Sequence, residues 1–162
     1  MRLLLPLLLS LLCACSGDTV HDATAGSGAL IRLSDADSRG LDPQIVSDIA
    51  SVRIASDLFE GLTRFNADGL AEPGLAAKWD ISADGKVWTF SLRDGLKFSD
   101  GTTLTAQVFA AAFARIISEA SGSPHSGLFG VIAAVDAPTP QSVVVRLKNP
   151  FPELPALLAH PA

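Results

Sequence analysis

The side chains with chemistry to offer are His21, His125 and His160, the thiols of Cys13 and Cys15, and a series of Asp-Gly pairs. Three imidazoles could ligate a metal or act as bases. These stand far apart, and none lies at metal-ligand spacing from a second His, a Cys or a carboxylate. The Asp-Gly pairs at 68–69, 84–85, 94–95 and 100–101 lack the alternating acidic ligands and closing Glu of a calcium loop. They read as turns, because Asp bonds its own backbone and Gly accepts positive φ. There is no nucleophile elbow, no Ser-x-x-Lys pair and no phosphate-binding glycine loop, since Gly26-Ser27-Gly28 follows no strand. An enzyme has no residue to stand on here, and neither cofactor nor metal is expected. The formal net charge of −5 argues against a nucleic acid or an anionic lipid surface as the main ligand.

The two thiols point elsewhere. Arg2 precedes an apolar run from Leu3 to Leu12. That run suits the core of a signal peptide and is too short for a spanning helix, which needs about 20 residues. Leu12-Cys13-Ala14-Cys15 resembles a bacterial lipobox, with a branched apolar residue three positions before the cysteine and a small one just before it. Cys15 is therefore the expected lipidation site, and residues 1–14 its signal peptide. The alternative is an ordinary signal peptide with incidental thiols, although no third Cys exists for either to pair with. Residues 15–28 are small, polar and Gly-containing, which predicts a flexible tether with His21 as a solvated member.

The elements that would position a site begin with a strand over 29–33. Leu41-Asp42-Pro43 breaks the chain, and Ile45, Ile49, Val52, Ala55, Leu58 and Phe59 predict the apolar face of a helix from Ile45 to about Leu62. Lys78–Ser82 and Val87–Leu92 predict a hairpin around Asp84-Gly85. In its second strand Trp88, Phe90 and Leu92 share one face. Trp79, Trp88, Phe90 and Phe98 are expected core. Thr105 caps a helix from Ala106 to about Ala120, whose buried face is Val108, Phe109, Ala112, Phe113, Ile116 and Ile117. Ser142–Leu147 is a β-branched strand, and Pro152–Ala159 a short closing helix. The order of elements is mixed, without a βαβ repeat, so an antiparallel or mixed sheet is expected.

One ordered series carries a resemblance. It comprises Leu41-Asp42-Pro43, the run from Asp57 to Leu62, Pro73-Gly74-Leu75-Ala76, Trp79, the run from Asp84 to Gly101, and Leu104-Thr105-Ala106. It resembles the N-terminal region of the family 5 periplasmic solute-binding proteins of ABC importers. Ser123-Pro124-His125 and the run Leu157 to Pro161 are similar to the oligopeptide-binding branch, with His125 where that branch has Tyr and Gln107 where an acidic residue is usual.

The resemblance implies a mixed α/β fold, a two-lobed periplasmic-binding-protein-like clamp. Residues 29–59 would be part of lobe I, and residues 60–162 an extra mixed domain, incomplete at its C-terminal end. The second lobe, its hinge and the acidic residue for the ligand's α-amino group would be missing, making the chain an N-terminal fragment. It further implies capture of oligopeptides at the cell envelope and delivery to a membrane permease by a lipid-anchored monomer. Ser47, Asp48 and Ile49 would lie beside the peptide, with His125 and Phe129 as further contacts; for Ile49 and Phe129 plain core is the competing reading. The alternatives are another small solute of the same family, such as nickel, haem or glutathione, or a truncated lipoprotein with a structural role.

Overall fold

A computed structural model of the chain describes residues 36–162. The signal segment, the tether, Cys13, Cys15 and the strand expected over 29–33 lie outside the described residues.

The two central strands of the sheet are those whose alternation is strictest. Strands β3 (Ala76–Ile81), β4 (Val87–Leu92), β5 (Ile132–Thr139) and β6 (Ser142–Leu147) form one antiparallel sheet in the order β3-β4-β6-β5. On β4, Trp88, Phe90 and Leu92 are buried while their neighbours are half-exposed, as period-two spacing requires. Their cross-strand partners do the same: Trp88 faces Val145 and Phe90 faces Val143, and all four are buried. Burying one such side chain contributes about 1.5–3 kcal/mol. The expected hairpin is β3–β4. Its turn is held by the Gly85 amide donating to the Ser82 carbonyl (2.9 Å), by Gly85 at φ +69° and by Asp84 accepting from the Lys86 amide (3.1 Å).

Two short strands precede the sheet. β1 (Thr63–Phe65) pairs with β2 (Ala71–Pro73). The chain segments flanking this hairpin approach closely: the Gly74 and Ala76 amides donate to the Leu62 carbonyl, and the Leu75 amide donates to the Gly61 carbonyl. The Thr63 hydroxyl donates to the Pro155 carbonyl (2.5 Å), which ties β1 to α3 (Leu154–Leu157).

The helices depart from expectation in extent and in face. α1 spans Ile49–Leu58, shorter than the helix expected from Ile45 to Leu62. Asp48 takes the N-cap with extended backbone, and Phe59 is again extended. Its buried residues are Ala50, Ser51 and Ala55, whereas Ile45, Ile49, Leu58 and Phe59 are exposed. Of the expected face, Ala55 is buried and Val52 half-buried, while the larger Ile45, Ile49, Leu58 and Phe59 are left exposed.

α2 spans Ala106–Ile116 and packs on β5 and β6. Phe109 and Phe113 pack against the core as expected, but Ile117 lies past the last turn and is exposed. Thr105 stands at the N-cap without a side-chain capping bond; the Ala106 amide instead donates to the Pro140 carbonyl (2.8 Å) in the β5–β6 turn. Phe98, expected in the core, is 41% exposed. It sits beside the Ser99–Gly101 turn, where its amide donates to the Thr102 carbonyl (2.9 Å). Trp79 is half-buried and stacks at a tilt on Phe90, with centroids 5.8 Å apart.

Candidate functional site

The segment Asp42–Asp48 is folded by its own first residue. The Ile45 and Val46 amides donate to the Asp42 carbonyl (3.0 Å each), and the Gln44 amide donates to Asp42 Oδ1 (3.1 Å). Pro43 fixes its own φ and supplies no donor, which suits the bend. Asp48 then closes the segment: its Oδ1 accepts from the Ser51 amide (2.9 Å), so it caps α1. That hydrogen bond, followed by one from the Ser51 hydroxyl, holds the Asp48 carboxyl below its ordinary pKa. The buried Ser51 hydroxyl in turn accepts from the Arg39 amide (2.9 Å).

A second set of bonds clamps the segment from across the fold. Arg115, in the last turn of α2, donates to both oxygens of Asp42 and to Gln44 Oε1 (2.9 Å). The hydrogen bond from Arg115 is the main reason the Asp42 carboxyl lies below the usual carboxylate range, outweighing the opposing effect of burial. Gln44 Nε2 donates to the Ala112 carbonyl (2.9 Å). The buried Ser123 hydroxyl donates to the Gln44 carbonyl (2.5 Å). The buried Gln44 thus has its side-chain and main-chain groups paired, as an interior amide must.

His125 completes the clamp. Its Nε2 lies 2.8 Å from the Val46 carbonyl oxygen. A carbonyl can only accept, so Nε2 carries the hydrogen. The His125 ring packs on His160, with centroids 4.8 Å apart, and Phe129 meets His160 edge-on at 6.4 Å. His160 Nδ1 accepts from the Ala162 amide (3.1 Å), the role of a neutral ring protonated at Nε2. Burial first, then the charge of His125, pushes the His160 pKa below its ordinary value of 6.5.

The residues expected at a ligand site fall into two groups. Ser47 and Ile49 are exposed, Ile49 at 66%, and Asp48 is half-exposed between them. His125 is half-buried beneath Val46, and Phe129 is buried at 5%. Gln44, Arg115, Ser123 and His160 also belong to this constellation and were not singled out as site residues. Arg115 and Ser123 meet the segment across 71 and 79 residues of chain, so no local spacing announces them.

A cavity of about 520 Å³ opens between α2 and the sheet, lined mainly by apolar side chains, with Asp42 and Arg115 among those bordering it. Among the described residues, no three His, Cys, Asp or Glu side chains converge as a metal site, and no helix is long and apolar enough to cross a membrane. The arrangement can hold and shape a backbone segment; it presents no nucleophile beside a base.

The fold matches part of the periplasmic binding proteins. The periplasmic oligopeptide-binding protein OppAIV of Borrelia burgdorferi superposes with a TM-score of 0.74 at 30% identity, over 78% of this chain and 29% of that one. OppA of Haemophilus influenzae, solved in complex with the peptide RPPGFSPFR, superposes with a TM-score of 0.74 at 27% identity, over 78% of this chain and 28% of that one. In sequence, the periplasmic oligopeptide-binding protein OppA of Salmonella typhimurium is 32% identical over 177 aligned positions, covering 96% of this chain. Residues 71–162 match the middle region of the bacterial extracellular solute-binding proteins, family 5, and the chain belongs to that family. It spans about a third of the length of these relatives, 32% of the Salmonella protein.

Proposed function

We propose that this chain is part of the extracytoplasmic substrate-binding component of an ABC importer, one that captures oligopeptides and delivers them to a membrane permease. The observation that carries the reading is the segment Asp42–Ile49: its backbone is fixed from three sides, while Ser47 and Ile49 face outward. A rigid shelf with exposed side chains suits an extended peptide, whose main chain supplies affinity and whose side chains enter tolerant, wet pockets. In this reading Ser47, Asp48 and Ile49 border the peptide, and His125 and Phe129 belong to the same site from beneath.

Residues 29–59 then contribute to the first lobe of a clamp and residues 60–162 to an extra mixed domain. The protein works as a monomer, without cofactor or catalysis, and Cys15 carries a lipid that holds it at the cell envelope. Acyl chains on that cysteine would anchor firmly, at about 0.8 kcal/mol per buried CH₂.

The test uses the protein expressed from the whole reading frame that contains this chain. After its resident ligand is stripped, it is offered a peptide library together with nickel, haem and glutathione. Retention of peptides supports the reading; retention of nickel, haem or glutathione alone overturns it. Metabolic labelling with a fatty-acid analogue, present in the wild type and lost in Cys15→Ser, tests the anchor.

A further inference from the structure

Ser123 and His125 bond the segment in a matched register. Ser123 Oγ reaches the Gln44 carbonyl and His125 Nε2 reaches the Val46 carbonyl, each across 79 residues of sequence. Two side-chain donors two residues apart therefore hold two backbone acceptors two residues apart. Pro124 stands between the donors, and its ring fixes φ and so their spacing. The two donors are also coupled to one another, since the His125 amide donates to Ser123 Oγ (3.2 Å). The Ser121 hydroxyl accepts from the Ser123 amide (3.2 Å), which extends the brace one step further back. The His125 ring also packs on that of His160, whose Nδ1 is occupied by the Ala162 amide.

The consequence falls on the next three residues. Val46 is buried and immediately precedes Ser47, and Asp48 caps α1 only if its carboxylate stands over the Ser51 amide. Releasing the Gln44 and Val46 carbonyls would loosen the stretch between the Asp42 bend and the Asp48 cap, leaving it held by the Gln44 side chain and the Asp42 carbonyl. His125 spends its Nε2 hydrogen on that carbonyl, which leaves no donor at that nitrogen for a ligand.

We propose that Ser123 and His125 are positioning residues, which act on the ligand only through the backbone of Gln44–Val46 and thereby set where Ser47, Asp48 and Ile49 stand. This assignment rests on the peptide-binding reading above for its functional meaning, but its mechanical part stands on the geometry alone.

Two readouts separate those parts. Hydrogen exchange without ligand reports the brace. In His125→Phe the Ile45, Val46 and Ser51 amides exchange faster by about tenfold, while β4 and β6 amides keep their rates. His125→Gln, whose amide nitrogen can occupy the place of Nε2, restores slow exchange. Ser123→Ala and Ser123→Thr form an independent pair with the same pattern, loss and rescue.

Peptide affinity is then measured on the protein from the whole reading frame. His125→Phe and Ser123→Ala weaken it, and His125→Gln and Ser123→Thr restore it in step with the exchange rates. Unchanged exchange in both loss variants overturns the proposal. So does a His125→Gln protein with slow exchange but affinity as poor as His125→Phe, because the imidazole itself would then touch the peptide. A wild-type protein that binds no peptide sinks the functional reading, and the exchange rates still decide the brace.

Discussion

Gly61 lies against the turn that follows α3, so close that a β-carbon built on it would sit 2.2 Å from the Leu158 carbonyl oxygen. Backbone stands on the other side of that contact, and no side chain can swing away. Gly61→Ala should therefore destabilise the protein by about 1–3 kcal/mol or more, the range for forcing extra volume into packed structure. Gly130→Ala is the control: its φ is not positive and nothing lies within 4 Å of the added carbon, so Ala there should cost little. Urea melts of the two variants measure the difference; equal losses would contradict the packing account.

Core and surface aromatics should separate as sharply. Phe90 is fully buried between Trp79 and Trp88, whereas Phe98 keeps 41% of its surface in water. Phe90→Ala is expected to cost about 3–5 kcal/mol, the usual loss for a buried aromatic, and Phe98→Ala far less. Thermal denaturation of both variants is the measurement, and a Phe98→Ala loss equal to that of Phe90→Ala would argue that Phe98 is core after all.

The pairing of His125 with His160 makes a pH prediction with a definite sign. The folded-state pKa of His160 lies below 6.5, so at mildly acidic pH the unfolded chain binds a proton that the folded chain refuses. Stability then falls as pH drops below 6.5 toward the folded-state value, and this contribution is flat above 6.5. His160→Gln removes the step. Stability measured from neutral to mildly acidic pH should show a difference between wild type and variant that changes with pH. Parallel curves would contradict the burial of a neutral imidazole.

Legibility in the sequence followed local periodicity. β4 and β6 were plain because Val87–Leu92 and Ser142–Leu147 alternate or run β-branched over six residues. β1 and β2, of three residues each, are too short to show any period. β5 hid because Ile132–Thr139 contains three Ala, an Asp and a Pro, and it holds an edge where such residues are tolerated. α1 misled in the opposite way: of the helically spaced Ile45, Ile49, Val52, Ala55, Leu58 and Phe59 the chain buries only Ala55, together with Ala50 and Ser51 from outside that set.

The candidate site was half legible. The sequence points to Ser47, Asp48, Ile49, His125 and Phe129; of these, His125 bonds the Val46 carbonyl just before Ser47, while Phe129 is buried and Ile49 exposed. The partners that hold the segment at Gln44, namely Arg115 and Ser123, reach it across 71 and 79 residues, and nothing local distinguishes a clamping arginine from a solvated one.

On the proposed reading, the outward face of Ser47–Ile49 borders a bound peptide. A photocrosslinking residue placed at Ile49, in the protein from the whole reading frame, probes that border. Illumination with a saturating labelled oligopeptide should attach the label at position 49, and unlabelled peptide should compete it away. Peptide that binds at full affinity yet never crosslinks from position 49 would contradict the account.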